Sequence, residues 1–369
     1  MPAERFGSMS TRIEKLRNLL ADQAVDCLLV TGETDVRYLS GFTGDSSYLL
    51  VSADRSAILS DRRYETQIAD ECSGFEAFVR GPDRTMTQLV AQAIDDFAAE
   101  TIGLDANDIS WAAVEGFRDA LSNKNLIATN GLVPQLRQIK EPDEIATIRE
   151  AVRIAERTFN AIGSTLRLGQ TELEIAHEVE HWIRYFGGQG CGFATIAAIG
   201  PNAALPHAHP GQRRVGEDPA ILLDWGARFG GYTSDLTRMM AIGGPSPEMA
   251  EIYPVVLDAQ LAAIEAIGPG VELKTVDAAA RNVIAAAGFG DYFSHSLGHG
   301  IGLQVHESPR LSAISEGRLQ PGMVVTVEPG IYFPGKVGVR IEDDVLVTEN
   351  GHEVLSSLPK GLDDCTVIL

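Results

Sequence analysis

Two aspartates flank a glycine pair within residues 221–238, and this stretch constrains the fold more than any other. An apolar run ends at Asp224, a Gly-Gly pair supplies a turn, and a second run carries Asp235. This pattern predicts a β-hairpin rather than a helix. If the two-residue loop falls at Phe229 and Gly230, the two aspartates stand directly opposite each other, with Cβ atoms about 4.5–5.5 Å apart.

Two carboxylates that face each other across a hairpin repel, and the repulsion has two remedies. Either one carboxylate keeps its proton or a cation sits between them, and hard divalent ions prefer carboxylate oxygen. A solvated pair on an exposed hairpin would need neither remedy. The hairpin alone leaves these alternatives open.

Further potential metal ligands lie downstream, each beside apolar or glycine-rich sequence. His299 lies in His-Ser-Leu-Gly-His-Gly-Ile-Gly, Glu328 in Val-Glu-Pro-Gly, and Glu342 in Val-Arg-Ile-Glu-Asp-Asp. Together with Asp224 and Asp235 they would form a site of four carboxylates and one imidazole. That set carries too much negative charge for one divalent ion, whereas two ions bridged by shared carboxylates fit it better.

The order Asp, Asp, His, Glu, Glu, with these flanking residues, resembles the pita-bread metallopeptidases: aminopeptidase P, Xaa-Pro dipeptidase (prolidase) and, more distantly, methionine aminopeptidase. The resemblance covers the C-terminal part of the chain, and the N-terminal part is only loosely similar to the smaller, creatinase-like domain of the same proteins. It implies that Asp224 binds one ion, that Asp235 and Glu342 bridge both ions, and that His299 and Glu328 bind the second. Manganese suits this oxygen-rich set, with cobalt or zinc as alternatives.

The same resemblance assigns roles to other side chains. His207, in Pro-Asn-Ala-Ala-Leu-Pro-His, would line the substrate cleft, and His306 would hold the scissile carbonyl and stabilise the oxyanion. Glu328 would shuttle protons as well as bind metal, and Arg340 would hold the site's carboxylates in place. His295 would either bind substrate in the cleft or support the residues that do.

The implied substrate is a peptide with proline in the second position. Two ions about 3.5–4 Å apart lower the pKa of a bridging water and polarise the carbonyl, so hydrolysis needs no covalent intermediate. The hydroxyl of Thr237 could orient Asp235 through an outer hydrogen bond. We predict a Xaa-Pro aminopeptidase, with a Xaa-Pro dipeptidase as the first alternative. A creatinase-like C–N hydrolase or a non-catalytic binding protein would have the fold but typically lack the full ligand set.

A boundary near Pro134 divides the chain into residues 1–134 and 135–369. Strands that alternate with helices predict a small α/β domain in the first part. The second part opens with a long helix, for which Pro142 suits the first turn. By resemblance this part is a pita-bread catalytic domain with a curved mixed sheet inside and helices outside, so the chain as a whole is α+β.

The resemblance also implies a homodimer in which the N-terminal domain lies near the partner's cleft. The segment Asp61-Arg62-Arg63-Tyr64 could then be a polar cluster lent to the partner's active site. A solvated helix start is the alternative, and we favour it because a polar run beside a predicted helix needs no further explanation.

A second candidate metal motif, His177-Glu-Val-Glu-His181, matches the zinc-binding pattern H-E-x-x-H. A zinc protease of that class needs a third ligand soon after, but no Asp or Glu lies between His181 and Glu217, and Arg184 stands where the extended motif has glycine. The apolar stripe of the predicted helix leaves both histidines among glutamates. We therefore predict a solvated helix face rather than a metal site.

Composition excludes several classes of partner. The net charge of −21 opposes binding to nucleic acid or to an anionic membrane surface. No apolar run is long enough to cross a membrane, and the N-terminus lacks the pattern of a signal peptide, so we expect a cytoplasmic protein. The four cysteines are widely separated and suggest neither a zinc site nor a disulfide framework.

Overall fold

A computed structural model of the chain describes the backbone of residues 3–369 and the side chains of residues 10–369. The Met-Pro start, part of the segment in which a signal peptide was sought, lies outside the described residues. The described chain divides into two compact units that meet between Arg137 and Gln138. The boundary predicted after Pro134 falls inside the last helix of the first unit, since proline is tolerated in a first helical turn. Within residues 3–369, no helix combines the length and apolar character needed to cross a bilayer.

The first unit contains one six-stranded sheet with helices packed against it. Its helices are α1 (Ala3–Ala21), α2 (Glu33–Ser40), α3 (Glu65–Glu71), α4 (Met86–Asp96), α5 (Trp111–Ala120) and α6 (Leu132–Arg137). Its strands are β1 (Cys27–Val30), β2 (Tyr48–Ser52), β3 (Ser56–Asp61), β4 (Glu76–Arg80), β5 (Thr101–Asp105) and β6 (Asn125–Thr129). The strand order is β4-β3-β2-β1-β5-β6, and only β2 runs antiparallel to its neighbours. The predicted α/β layer is confirmed.

The polar segment that follows β3 forms a helix start. The buried carboxylate of Asp61 accepts hydrogen bonds from the backbone N–H of Arg63 at 3.1 Å and from its side chain at 2.9 Å. The hydroxyl of Tyr64 donates to Asp45 at 2.5 Å. These contacts agree with the favoured helix-start interpretation, although Asp61 is buried as the cap rather than solvated.

A buried ion pair joins α6 to α2. The guanidinium of Arg137 lies 2.7 Å from the carboxylate of Asp35, and the two side chains are only 6% and 4% exposed. Burial raises the pKa of Asp35 to about 6, against the lowering influence of Arg137. The charged form of this carboxylate at neutral pH therefore depends on its arginine partner.

The second unit is larger and has four α-helices. They are α7 (Pro142–Thr165), α8 (Glu172–Tyr185), α9 (Pro247–Glu265) and α10 (Leu273–Ala286). Its first strands are β7 (Gly190–Cys191), β8 (Ile196–Ile199), β9 (Ala220–Trp225), β10 (Ala227–Phe229), β11 (Tyr232–Thr233) and β12 (Leu236–Ile242). The later strands are β13 (Gly298–Gly300), β14 (Glu307–Leu311), β15 (Val324–Val327), β16 (Gly330–Phe333), β17 (Val337–Arg340), β18 (Asp343–Thr348), β19 (Gly351–Val354) and β20 (Thr366–Val367).

These strands form four hydrogen-bonded sheets rather than one. Their orders are β11-β10-β7, β20-β12-β9-β8, β14-β13-β15-β18-β19 and β16-β17. Within them only β20 pairs in parallel, with β12, so the second of these sheets is mixed. An isolated bridge between Thr237 and Glu342 connects β12 to the start of β18 and brings two predicted site segments together.

Strand β9 separates two apolar cores because successive side chains point to opposite faces. Ile221 and Leu223 pack with residues of α7 and α8, whereas Leu222 packs with residues of α9 and α10. Asp224 follows in the alternation and shares the face of Leu222 at the end of the strand. The apolar pattern of β9 thus sets the direction in which this carboxylate points.

The helices begin where local sequence signals predict. Pro142 occupies the first turn of α7, and Glu141 and Glu144 form a reciprocal capping box. Helix α8 is capped in the same way by Thr171 and Glu174. Helix α9 has similar start signals, because the side chain of Ser246 accepts a hydrogen bond from the backbone N–H of Met249 and Pro247 lies in the first turn.

We predict that Arg137→Met destabilises the chain by about 3–5 kcal/mol, because it leaves the buried carboxylate of Asp35 without its cation. The matched control is Arg118→Met, which removes an exposed pair with Glu115 and should change stability by less than about 1 kcal/mol. Urea unfolding followed by circular dichroism measures both. Equal, small losses in the two variants would contradict the importance of the buried pair.

Candidate metal centre and active site

The hairpin turn lies one residue later than the sequence predicted. Gly230 and Gly231 form it, and Phe229 pairs with Tyr232. Both glycines have positive φ, at 56° and 91°. A two-residue turn of this kind favours positive φ at both central positions, which glycine adopts without strain and phenylalanine does not. The predicted loop at Phe229 and Gly230 is wrong for that reason.

The observed register moves the two aspartates out of direct opposition. Asp224 pairs with Thr237, two residues beyond Asp235. The aspartates are therefore diagonal rather than facing neighbours, a relation that still allows side chains to interact. Their charges remain coupled, since the negative charge of Asp224 contributes to raising the pKa of Asp235.

Asp224 has one oxygen anchored and one without a partner. The neighbouring Trp225 fixes the end of β9, because its indole N–H donates to the carbonyl of Ala155 at 3.0 Å and its ring stacks on Phe159 at 5.1 Å. Asp224 Oδ2 accepts a hydrogen bond from Arg340 at 2.5 Å. Asp224 Oδ1 is buried and has no hydrogen-bond partner among the described side chains and backbone.

His299 stands between two carboxylates. Its Nε2 lies 3.7 Å from Asp235 Oδ2 and 3.3 Å from Glu328 Oε1. Its Nδ1 lies 3.1 Å from the carbonyl oxygen of Gly300, and because a carbonyl only accepts, Nδ1 carries a proton. Nε2 is then the nitrogen available to a metal ion. The backbone N–H of Asp235 donates to Asp344 at 3.0 Å, which holds this side of the site.

Glu342 is oriented by the hydroxyl of Thr237, which donates to its Oε2 at 2.6 Å. Arg340 donates to the same hydroxyl oxygen at 3.1 Å. The single hydroxyl hydrogen is thereby used, so the prediction that Thr237 orients Asp235 is wrong. The physical reason is the bridge between Thr237 and Glu342, which turns this part of β12 toward the start of β18.

Burial and like charge govern the protonation of the acids. Burial raises the pKa values of Asp235 and Glu342 well above their ordinary range, and neighbouring carboxylates raise them further. Burial raises the pKa of Asp224 as well, although the charge of Arg340 opposes the shift. Burial also acts on Glu328, but the hydrogen bond and charge of His299 keep its pKa below the usual value. This cluster of buried acids therefore needs either bound protons or a cation to balance its negative charge.

The donor set fits a divalent cation. Ligand atoms of Asp235, His299 and Glu342 all lie within 4.8 Å of one another. Glu328 adds a carboxylate beside the imidazole, and the partnerless Oδ1 of Asp224 is a further buried oxygen. Carboxylate oxygens with one imidazole nitrogen suit Mn²⁺, Co²⁺ or Zn²⁺.

Three side chains that support the site were not identified from the sequence. Tyr332 accepts a hydrogen bond from Arg340 at 2.9 Å, Thr326 lies 3.3 Å from Glu328, and Asp344 binds the backbone of Asp235. Burial raises the pKa of Asp344 to about 8. The sequence did offer a signal for Asp344. It lies two residues after Glu342 at the start of a strand, and residues two apart in a strand share a face.

His295 has both ring nitrogens engaged. Nδ1 lies 2.8 Å from the carbonyl of Ser296, and Nε2 lies 2.9 Å from the hydroxyl of Tyr332. Because a carbonyl only accepts, Nδ1 carries the proton of the neutral ring, and Nε2 accepts a hydrogen bond from the hydroxyl of Tyr332, whose oxygen accepts from Arg340. Burial lowers the pKa of His295 and keeps it neutral. These contacts favour the supporting role over a substrate contact, two alternatives that the sequence left open.

His306 and His207 are exposed, unlike the acids. The ring of His306 lies 4.3 Å from that of His299 at an angle of 76°. Partial burial, with the nearby His299, lowers the pKa of His306. His207 is close enough for its charge to act on both His295 and His306. The structure therefore places both histidines near the candidate metal ligands, and their contact with substrate stays a prediction.

The loop that carries His306 is held by a buried ion pair. Lys140 lies 3.3 Å from Glu307, and the two side chains are 1% and 5% exposed. Glu307 also accepts a hydrogen bond from the backbone of Gln304 at 2.9 Å. A Cβ at Gly302 would lie 2.7 Å from the same carboxylate, so a larger residue there would displace the side chain of Glu307. Sequence reasoning did not identify this pair, because its members are far apart in the chain.

The H-E-x-x-H motif is not part of this centre. His177 and His181 are both exposed on α8, while Ile175 and Val179 form its buried face. The ring of His181 packs against Trp182 instead of facing a carboxylate. The predicted solvated face is confirmed.

Comparison with known proteins agrees with the geometry. A model of metallopeptidase family M24 matches residues 146–349, and a model of the creatinase/prolidase N-terminal domain matches residues 12–139. The chain is 40% identical to the uncharacterized peptidase YqhT of Bacillus subtilis, over 95% of this chain and 99% of that protein.

Two solved structures are similar over nearly the whole chain. An Xaa-Pro dipeptidase from Bacillus anthracis has a TM-score of 0.93 and 37% identity, covering 98% of this chain and 100% of that one. An X-Pro aminopeptidase from Thermotoga maritima has a TM-score of 0.86 and 35% identity, covering 96% and 100%. The predicted fold, a small α/β domain followed by a pita-bread catalytic domain, is confirmed. With its candidate metal ligands all inside the matched region 146–349, the chain belongs to metallopeptidase family M24.

Proposed function

We propose that this chain hydrolyses the peptide bond between an N-terminal residue and a following proline, using two divalent ions. The ions would be held by Asp224, Asp235, His299, Glu328 and Glu342. The observation that carries the proposal is the convergence of buried acids around the Nε2 atom of His299. The solved relatives named as Xaa-Pro dipeptidase and X-Pro aminopeptidase support the choice of bond.

Bound divalent ions would supply a water of lowered pKa and polarise the scissile carbonyl. The protein's own groups would do the rest. Glu328, whose pKa is held low, is ionised and able to accept a proton. His306, beside His299, would donate a hydrogen bond to the developing oxyanion. Arg340 would keep Asp224 ionised and in place through their 2.5 Å contact.

Proline imposes a particular form of recognition. Its nitrogen belongs to a tertiary amide and has no N–H, so the enzyme cannot hold the scissile nitrogen by a donated hydrogen bond. Ring shape and the carbonyl beyond must be recognised instead. The exposed His207, near His306, would contact that side of the substrate.

The substrates of the predicted aminopeptidase and of the alternative dipeptidase differ in one charge near the cleaved bond. A dipeptide ends in a free carboxylate at proline, which a nearby cation would bind. Arg310 is exposed, lies close enough to act on the pKa of His306, and donates from Nε to Ser296 at 3.2 Å. This arginine is the specific observation in favour of the second candidate, an Xaa-Pro dipeptidase.

Other predictions made from the sequence stay predictions. Manganese is the metal expected first, with cobalt or zinc as alternatives. A homodimer and a cytoplasmic location also remain expectations from the resemblance and the composition. A creatinase-like hydrolase or a non-catalytic protein is disfavoured, because all five candidate ligands are present.

We predict that Asp235→Ala and Glu342→Ala each reduce hydrolysis of Ala-Pro by more than about 100-fold. Loss of a residue that only supports a metal ligand costs up to about 100-fold, and loss of a ligand itself should cost more. Both variants should also bind less metal, as measured by elemental analysis after dialysis. The control is His177→Ala, which removes an exposed histidine and should retain activity and metal. Full activity after exhaustive chelation would end the metal-dependent proposal, and loss of metal in His177→Ala would revive the zinc-motif alternative.

His306→Ala should lower kcat by about 100-fold, as for loss of one oxyanion donor. His207→Ala should chiefly raise KM, because it is assigned to substrate. Metal content should stay at the wild-type value in both variants. If either variant loses metal in proportion to its activity, that histidine is a ligand rather than a substrate-binding group.

A substrate panel tests the bond and the chain length. Ala-Pro, Ala-Pro-Ala and Ala-Ala-Ala are offered with Mn²⁺, and only the peptides with proline second should be cleaved. If Ala-Pro is preferred, Arg310→Met should raise its KM by about 10–100-fold, the loss of a charge-assisted hydrogen bond, and leave Ala-Pro-Ala less affected. Cleavage of Ala-Ala-Ala at the same rate would reject proline specificity.

A further inference from the structure

The loop that carries His207 joins β8 to the segment before β9. It contains a helical turn, Gly200–Ala204, and its residues 205–211 have no regular structure. Among the described contacts, no hydrogen bond fixes the imidazole of His207. The position of this histidine therefore depends on what holds the backbone of the loop.

A buried carboxylate, that of Glu172, binds both ends of that loop, and the backbone N–H of Leu173 adds a hydrogen bond to the carbonyl of Gly211 at 3.2 Å. Glu172 is fully buried at the start of α8. Its Oε1 accepts a hydrogen bond from the backbone N–H of Ile199 at 2.7 Å, and its Oε2 accepts one from the backbone N–H of Gly211 at 2.8 Å. The side-chain amide of Asn202 donates to both oxygens, at 2.9 and 3.0 Å.

These contacts connect residues on both sides of His207. Ile199 precedes it, Gly211 follows it, and Asn202 lies between. On its other side the loop is held by Arg340, which donates to the carbonyl of Pro206 at 3.3 Å. The backbone of His207 is thus held between Glu172 and the arginine that binds the candidate metal ligand Asp224.

Capping of α8 does not explain Glu172. Thr171 and Glu174 already form the reciprocal capping box, with the N–H of Thr171 donating to Glu174 at 2.8 Å and the N–H of Glu174 donating to Thr171 at 3.1 Å. The side chain of Glu172 reaches to the loop instead. A buried carboxylate is unfavourable unless its oxygens are hydrogen-bonded, and the donors to this one, Ile199, Asn202 and Gly211, all belong to the His207 loop.

We propose that Glu172 is a positioning residue for substrate recognition, which acts by fixing the loop that presents His207 to the cleft. The proposal rests on the proposed function insofar as His207 contacts substrate. It assigns no contact with substrate or metal to Glu172. Replacement by glutamine keeps the size but turns one acceptor into a donor that faces the N–H groups of the loop.

The test compares Glu172→Gln and the control Glu174→Gln, each in the wild type and in the His207→Ala background. On Ala-Pro, Glu172→Gln should lower kcat/KM by about 10–100-fold, as expected when a reacting group is misplaced, mainly through KM and with unchanged metal content. In the His207→Ala background the same change should cost less than about twofold, because the two residues act as one unit. Glu174→Gln should stay within about twofold of wild type in both backgrounds.

Equal losses from Glu172→Gln in both backgrounds, or loss of metal, would overturn the proposal. Asn202→Ala provides a second variant that breaks the same contact from the loop side without altering α8, and it should reproduce the pattern.

Hydrogen exchange measured by mass spectrometry separates this proposal from the proposed function. Glu172→Gln should speed exchange in residues 199–211 and leave α9 unchanged, whichever peptide is the substrate. Unchanged exchange in 199–211 would overturn the positioning role by itself. Faster exchange in a protein that does not cleave Ala-Pro would reject only the proposed function.

Discussion

The structure depends on keeping several carboxylates together in a space that excludes water. Burial and mutual repulsion raise the pKa values of Asp235 and Glu342, so an arrangement of bare charges would be unstable. Two hydrogen bonds from the protein stabilise these acids: Arg340 donates to Asp224, and the hydroxyl of Thr237 donates to Glu342. Asp224 and Glu342 are each held through one carboxylate oxygen, and Asp235 is held through its backbone N–H, so other carboxylate oxygens are left for a cation.

A second layer of charge supports this arrangement. Arg238 forms a buried pair with Asp343 at 2.6 Å, with side chains only 2% and 1% exposed, and also donates to the backbone carbonyl of Glu342 at 2.6 Å. Lys360 adds a second cation to Asp343 at 2.6 Å. Burial opposes ionisation of Asp343, but these cations hold its pKa below the usual value. The negative charge of Asp343, which is next to the candidate ligand Glu342, is therefore balanced by Arg238 and Lys360.

Much of the fold could be predicted because its signals are local. The capping residues at Thr171 and Glu141 and the proline at 142 mark helix starts, and a continuous apolar run marks β9. The hairpin turn was misplaced by one residue, although the positive φ required at both turn positions favoured Gly230 and Gly231 over Phe229. That one-residue error changed the residue that faces Asp224, which is Thr237 rather than Asp235.

Residue type and nearby spacing were enough to infer the candidate ligands and their order, the two-part architecture and the solvated character of the His177 motif. The partner of each polar group, by contrast, became known only from the folded chain. Thr237 and Glu342 are 105 residues apart, and Tyr332 lies 37 residues from His295. Glu172 meets Gly211 across 39 residues. A hydrogen bond between distant segments depends on register and packing, and it leaves no periodic pattern in the chain from which it could be inferred.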